Sequence, residues 1–190
     1  MKQMTDIVSR KVISLKTKRL ILLALEELLD KFRFDEITVI QLANQAAISR
    51  ATFYRHFTDK YEVANWYYRL KAEAVFQDER NKTPYDIFYG LSKFMGEDDK
   101  NFMQVMMNQK DDQNSFFNFV SNTFYDFWKQ KYESKMAREL TTQEAFDLAV
   151  WSLGGAEVWK HKLNNEVIDP QEMGELFDKS MPLWLVNVSE

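Results

Sequence analysis

The chain has 190 residues, of which 45% are hydrophobic and 15% are aromatic, so it can bury a substantial core and is not disordered as a whole. It contains no cysteine, which excludes disulfides and thiolate metal sites. The formal net charge is −4, but residues 1–60 carry 11 Lys and Arg against 7 Asp and Glu, whereas residues 61–190 carry 14 against 22. A basic N-terminal part on an acidic remainder favours contact of that part with a polyanion.

The low content of helix-breaking residues predicts an all-α protein. There are only 5 Gly and 3 Pro, and no stretch alternates like a strand. We expect about nine helices in two domains. Residues 1–60 should form an N-terminal arm and a three-helix domain with a helix-turn-helix, and residues 61–190 a helical regulatory domain. Because no apolar signal segment or membrane span is evident, a soluble cytoplasmic protein is expected.

The first fifteen residues show little apolar periodicity. They carry Lys2, Arg10 and Lys11, so they suit either a flexible basic arm that contacts nucleic acid or a frayed terminus. A long first helix is expected after them, containing Leu25 and Leu28.

Residues 38–60, TVIQLANQAAISRATFYRHFTDK, predict two short helices joined by a tight turn. Thr38 and Gln41 have the spacing of a capping box, in which each side chain bonds the backbone N–H of the other residue. Ser49 is a suitable N-cap for the second helix, which we expect over residues 50–57.

The second of these helices has two chemically different faces. Phe53 and Phe57 lie four residues apart and are expected to face inward. Asp59 is the expected N-cap of the following helix, where Lys60 could hold a phosphate. The outward face carries groups suited to phosphate oxygens and base edges, namely Arg50, Thr52, Tyr54, Arg55 and His56. The same pattern also occurs in helical proteins that bind no DNA, so both interpretations stay open on the pattern alone.

Residues 16–68 resemble the N-terminal domain of the TetR family of bacterial transcription regulators. The resemblance rests on the long first helix, on LANQAAIS at the turn, and on TFYRHFTDK, where the family typically shows T-x-Y-x-H-F-x-x-K. It implies a repressor that acts as a homodimer on a palindromic operator in double-stranded DNA and responds to a small molecule. With the face described above, the implied DNA contacts are Thr38, Ser49, Arg50, Ala51, Thr52, Tyr54, Arg55, His56 and Lys60.

Two positions depart from the family pattern. Ala47 stands where the family usually has Gly, and Ala51 where Gly or Pro is common. An alanine at a turn position with positive φ destabilises the turn by about 1 kcal/mol. These two alanines therefore bear on the geometry of the turn more than on the function.

The remainder of the chain predicts a helical body. Helices are expected over residues 59–81, 84–95, 101–109 and 114–135, then from a second capping box at Thr141 and Glu144 to residue 163. Asp169 and Pro170 start the last helix as N-cap and first helical residue.

The middle of the body is rich in aromatic and methionine side chains. These could line an inducer pocket or form solid core, and both interpretations remain open. The candidate pocket residues are Met103, Met106, Phe116, Val120, Phe124, Trp128 and Trp151.

The last two long helices carry enough apolar surface to pair with a second copy of the chain. TetR-like proteins commonly dimerise in this way; the alternative is that both helices pack inward on their own body. The candidate interface residues are Trp151, Gly155, Trp159, Phe177, Met181 and Trp184.

No pattern in the chain indicates catalysis, a cofactor or a metal. His56 and His161 are the only histidines, and no phosphate-binding glycine loop or hydrolase motif is present. The other function considered is a coregulator whose body binds a partner protein instead of a metabolite. A pocket with a few buried polar groups would favour the metabolite, and an exposed apolar patch would favour the protein.

Overall fold

The computed structural model describes residues 2–95, 99–109, 115–165 and 169–186, with side chains described from residue 12 onward. The all-α prediction is confirmed, because these residues form ten α-helices and one 3₁₀ turn and contain no strand. The elements are α1 Lys2–Leu29, the 3₁₀ turn Phe34–Glu36, α2 Val39–Gln45, α3 Arg50–Tyr54, α4 Lys60–Phe76, α5 Pro84–Lys93, α6 Lys100–Met107, α7 Phe116–Met136, α8 Thr142–Asn165, α9 Pro170–Ser180 and α10 Leu183–Val186.

The chain divides into two compact units, Met1–Tyr67 and Tyr68–Glu190. The division falls within α4, seven residues beyond the boundary at residue 60 that we predicted from the sequence. The body contains one helix more than expected because the last predicted helix is interrupted at Pro182. Met181 precedes that proline and is extended, with ψ at 136°, as steric contact with a proline ring requires.

The segment predicted as an N-terminal arm is helical, since α1 begins at Lys2 and continues to Leu29, and its contact with nucleic acid stays a prediction. Residues 2–15 contain no Gly or Pro, so nothing in them stops the helix from extending backward from its buried part. The side chains of Lys2, Arg10 and Lys11 lie outside the described residues.

The core of the N-terminal unit is a small apolar cluster drawn from every element of that unit. Helix α1 contributes one continuous stripe at helical spacing, and α2, α3 and the start of α4 pack against it. The buried side chains include Ile21, Leu25, Leu28, Phe34, Ile37, Leu42, Phe53, Phe57 and Val63.

The core of the C-terminal unit is aromatic and closely interlocked. The rings of Phe88 in α5 and Phe177 in α9 stack with centroids 3.6 Å apart. Phe177 also fills a notch over Gly155 in α8, where a Cβ atom would lie 2.6 Å from its Cε1. Tyr85 occupies a similar notch over Gly174, 2.8 Å from the Cβ that any other residue would carry there. Two glycines therefore allow α5, α8 and α9 to approach closely.

A polar cluster holds the turn between α7 and α8. Arg138 donates hydrogen bonds to both carboxylate oxygens of Glu144, at 2.7 and 2.8 Å, and also contacts the Tyr132 hydroxyl. Tyr132 itself donates to Glu144 at 2.7 Å. Thr141 completes the predicted capping box, because its backbone N–H donates to Glu144 at 2.8 Å. The Arg138 guanidinium lowers the pKa of the Glu144 carboxyl far below its usual range, against a partial burial that raises it.

Candidate nucleic-acid interface

Local hydrogen bonds set the start of each helix in the helix-turn-helix, as predicted. The backbone N–H of Thr38 donates to Gln41 at 2.8 Å, and the Gln41 N–H donates to the Thr38 hydroxyl at 3.2 Å. The Ser49 hydroxyl accepts from the Thr52 N–H at 3.0 Å and caps α3. Asp59 accepts from the Glu62 N–H at 2.8 Å and caps α4. Helix α3 is shorter than expected, ending at Tyr54.

The turn between α2 and α3 uses a left-handed residue at the position where the sequence departs from the family. Ala47 has φ at 52°, and the N–H of Ile48 donates to the Ala43 carbonyl at 2.9 Å to close the turn. The turn geometry that usually takes glycine is thus kept with alanine, at a cost of about 1 kcal/mol.

The two predicted faces of α3 are both present. Phe53 and Phe57 are 0% and 2% exposed, so they anchor the short helix in the core. On the opposite side Arg50, Ala51 and Tyr54 are exposed, Tyr54 by 50%. The anchored rings therefore fix the position of the exposed surface that carries Arg50, Ala51 and Tyr54.

Three further polar side chains on this surface are tied to one another. The hydroxyls of Ser49 and Thr52 lie 2.9 Å apart, and the Arg55 guanidinium donates to the Thr52 hydroxyl at 3.3 Å. These bonds hold Arg55 along the helix while leaving its side chain exposed. Ser49 and Thr52 therefore hold neighbouring side chains in position, in addition to being candidate DNA contacts.

His56 lies at the end of α3, beside the N-terminal part of α1. Its Nδ1 atom is 3.3 Å from the Ser14 hydroxyl. Partial burial lowers the pKa of His56, and the nearby charges of Lys18 and Arg55 lower it further. The imidazole is therefore neutral at pH 7. Ser14 and Lys18 are neighbours of this surface that the sequence analysis missed, because their proximity depends on the tertiary fold.

Lys60 has a different position from the one expected of a phosphate ligand. Its Nζ atom donates to the carbonyl oxygens of Phe34, Asp35 and Ile37 at 2.7, 3.0 and 2.9 Å. An ammonium group has three donors, and these carbonyls use all of them. The structure gives this side chain an internal role, as a clamp on the segment before α2.

A sequence comparison identifies a known kind of domain in the N-terminal part of the chain. The family model described as "Bacterial regulatory proteins, tetR family" matches residues 21–65, which span the C-terminal third of α1, the helix-turn-helix and the start of α4.

This part of the chain is similar to the tetR family of bacterial regulatory proteins.

The match supports a DNA-binding transcription regulator as the role of the chain. Its fold is similar to that of a solved structure named "Dihydroxyacetone kinase operon activator DhaS", with a TM-score of 0.58. The similarity covers 90% of this chain and 96% of that chain at 16% sequence identity, so it concerns the fold. No curated protein matches the sequence.

The seven predicted pocket residues are all buried, but only two of them line the cavity that lies among the helices of the C-terminal unit. A cavity of about 20 Å³ lies between α5, α7 and α8, and only Val120 and Phe124 of the predicted set line it. The other five are buried and do not line this cavity, so their part in a pocket stays a prediction: Met103, Met106, Phe116, Trp128 and Trp151.

An open groove of about 610 Å³ lies between the C-terminal part of α4 and α7. Phenylalanines form its floor, where the rings of Phe76 and Phe127 stack with centroids 4.0 Å apart. At one end the Arg69 guanidinium lies 5.1 Å from the centroid of Phe119. Polar side chains also line the groove, so its wall combines aromatic rings with polar groups.

The residues chosen from the sequence as the dimer surface need correcting. Trp184 is partly buried, with its indole N–H donating to Asp147 of the same chain at 3.2 Å. The other five are buried within their own unit, because α8 and α9 turn them toward α5 and α7: Trp151, Gly155, Trp159, Phe177 and Met181.

The opposite face of α8 is the one that is exposed and apolar. Phe146, Val150, Leu153 and Val158 are 63%, 55%, 51% and 44% exposed. Phe146, Val150 and Leu153 lie at the i, i+4, i+7 spacing of one stripe, and Val158 lies at its edge; we call these four residues the outer α8 stripe. Gly154 lies on the same stripe, with no atom within 4 Å of a built Cβ.

Two features are absent from the residues that the structure describes. Within that part of the chain, no helix is long and apolar enough to cross a membrane. In the same residues no group of three acidic or histidine side chains is placed to hold a metal ion.

Proposed function

We propose that this protein is a homodimeric, sequence-specific regulator that places one α3 helix per subunit in the major groove of a palindromic operator. The observation that carries the proposal is the exposed face of α3, where Arg50, Ala51 and Tyr54 stand on the buried rings of Phe53 and Phe57. Half-sites about 34–36 Å apart, one helical turn, are expected for such a dimer.

The chemistry of each side chain suggests its part in binding. Arg50 can bond a guanine edge or a phosphate in bidentate fashion, and the small Ala51 allows the helix to approach a thymine methyl. Tyr54 offers a ring and a hydroxyl, and neutral His56 can donate to a phosphate oxygen through the ring nitrogen that does not face Ser14.

The capping residues and Arg55 complete the proposed contact set. Arg55 reaches outward from its bond to Thr52, and the Ser49 and Thr38 hydroxyls lie exposed at the starts of α3 and α2. Lys60 is not among the proposed phosphate ligands, because its three donors are already bonded to carbonyl oxygens.

We place the dimer interface on the outer α8 stripe. Contiguous exposed apolar surface of this kind marks an interaction site on soluble proteins. A two-fold axis through the stripe would bring the same residues together from both copies, as a closed homodimer requires. The bare backbone at Gly154 permits a close approach of the two helices at that point.

The direction of regulation and the response to a ligand are also part of the proposal. We propose repression relieved by a small molecule held in the C-terminal unit, as the family resemblance implies. The structurally similar DhaS is named an operon activator, so a reporter gene under the selected operator is needed to fix the sign.

The experiment that tests DNA recognition is selection of bound sequences from random duplexes at about 150 mM salt, where phosphate contacts alone contribute less. Recovery of a palindromic motif supports the proposal. Tyr54→Ala should then weaken binding to that motif by roughly tenfold or more, from the 1–3 kcal/mol that a good base contact is worth. Tyr89→Ala is the matched control, because Tyr89 is an exposed tyrosine of the C-terminal unit. Equal affinities of the two variants would contradict the assignment of α3.

A coregulator that binds a partner protein is the second candidate, and the open groove between α4 and α7 favours it. Its phenylalanine rings and polar side chains suit an amphipathic helix of a partner. Two results together would favour this function over the first. No DNA sequence would be selected, and a purified partner would be captured by wild type but not by Phe127→Ala.

A further inference from the structure

The C-terminal unit contains an unpaired hydroxyl group in the wall of its small cavity. Ser152 in α8 is 2% exposed, and its Oγ atom has no hydrogen-bond partner among the residues that the structure describes. A buried hydroxyl without a partner costs about 1–3 kcal/mol. Ser152 lines the cavity, as does Ser121 in α7, which is 6% exposed.

The remainder of the cavity wall is uncharged and mainly apolar. Aromatic rings of Phe88, Phe124 and Trp159 form much of it. Tyr68 is the one ionisable side chain among the lining residues, and burial raises the pKa of its phenol well above the usual value, so it stays neutral. A charged molecule would lose its hydration here without gaining a counterion, which is strongly unfavourable. The wall therefore selects for a neutral molecule.

The size of the cavity limits how a ligand fits. About 20 Å³ accommodates one water-sized group. Anything larger must displace a side chain, and Met95 is the lining residue best able to move, because methionine has three rotatable bonds and no branch. If Met95 moves out of the wall, the cavity can hold a molecule about as large as a methionine side chain.

We infer that this cavity binds a small, uncharged, mainly apolar molecule with one hydroxyl or carbonyl group, and that Ser152 is its hydrogen-bonding anchor. The polar group occupies the existing space beside Ser152 and Ser121, and the apolar part replaces the Met95 side chain against the aromatic wall. The inference deepens the proposed function, since it rests on the proposal that a small molecule acts through the C-terminal unit.

The test compares phenol with toluene, which has nearly the same size and no polar group. Binding is followed by tryptophan fluorescence, because Trp159 lines the cavity, and by calorimetry on the full chain without DNA. Wild type should bind both probes. Ser152→Ala should weaken phenol binding about five- to tenfold, the value of one hydrogen bond, and leave toluene binding unchanged or slightly tighter.

The chain offers a matched control for this substitution. Ser92 is 0% exposed and its hydroxyl also lacks a partner among the described residues, but it does not line the cavity. Ser92→Ala should bind both probes like wild type. Both alanine variants should fold, since removing an unpaired buried hydroxyl is nearly neutral or stabilising. Ala156→Leu fills the cavity and should abolish binding of both probes while far-UV circular dichroism stays unchanged.

Three results would overturn the inference: no binding of phenol to wild type at about 10 mM, an unchanged phenol affinity in Ser152→Ala, or an equal loss in Ser92→Ala. Operator binding is measured separately on the same proteins. A chain that binds phenol through Ser152 but selects no DNA would contradict the proposed function and support the ligand site, so the two failures are distinguishable.

Discussion

Replacing Lys60 with methionine tests whether this residue clamps the fold or contacts DNA. The substitution keeps most of the aliphatic stem and removes the ammonium that bonds the carbonyls of Phe34, Asp35 and Ile37. Bonds from a charged donor are worth about 1.5–3 kcal/mol each when they are not fully solvated. The bonds to Phe34 and Ile37 are partly buried and the bond to Asp35 is exposed, so two of the three should contribute substantially.

At the lower value for two bonds, Lys60→Met should reduce the free energy of unfolding by roughly 3 kcal/mol. The loss of the cation over the Phe34 ring, 4.6 Å from its centroid, acts in the same direction. For a chain of this length the melting temperature should fall by roughly 6–12 °C.

The assay is urea unfolding, together with hydrogen exchange measured by mass spectrometry over residues 34–45. Faster exchange confined to that segment would show where the clamp acts. Lys31→Met is the matched control, because Lys31 is an exposed lysine of the same unit, and it should change stability by less than about 0.5 kcal/mol. Unchanged stability of Lys60→Met with weaker operator binding would refute this reasoning and restore the phosphate contact that the resemblance implied.

Three further predictions concern association and pH. Leu153→Glu should give monomers in analytical ultracentrifugation, because it places a charge in the outer α8 stripe, whereas a retained dimer would exclude that stripe as the interface. Operator affinity should rise as pH falls from 7.5 to 5.5, since a phosphate favours the imidazolium form of His56, whose pKa is low in the free protein; His56→Gln should remove this dependence at constant salt. The pKa of Glu144 is lowered in the folded state, so its contribution to stability is present above its ordinary pKa of 4.5 and is lost as pH falls below that value. Glu144→Gln should therefore show a smaller decrease in urea midpoint than wild type between pH 5 and pH 3.

The local features of the helix-turn-helix could be predicted from the sequence because they depend on neighbours along the chain. The caps at Thr38, Ser49 and Asp59 are bonds between a side chain and an N–H two or three residues away, so residue type and spacing are enough to find them. The inward position of Phe53 and Phe57 follows from helical periodicity in the same way.

The orientation of α8 could not be predicted, because this helix is apolar on two faces. The inward series containing Trp151 and Trp159 and the outer α8 stripe have the same period, so the pattern does not distinguish them. The role of Lys60 was missed for another reason. Its partners are more than twenty residues away in sequence, and no pattern along the chain indicates them.

The two adjacent glycines of α8 link the stability of this helix to the association of two chains. Gly155 is covered on the inner side by Phe177, whereas the outer side of Gly154 carries no atom within 4 Å. Each glycine weakens an isolated helix by about 1 kcal/mol relative to alanine, so α8 is intrinsically weakest at this pair. In the proposed dimer a second copy would cover the outer side and protect the backbone there. Folding of α8 and assembly would then be coupled equilibria, and the midpoint of thermal unfolding would rise with protein concentration.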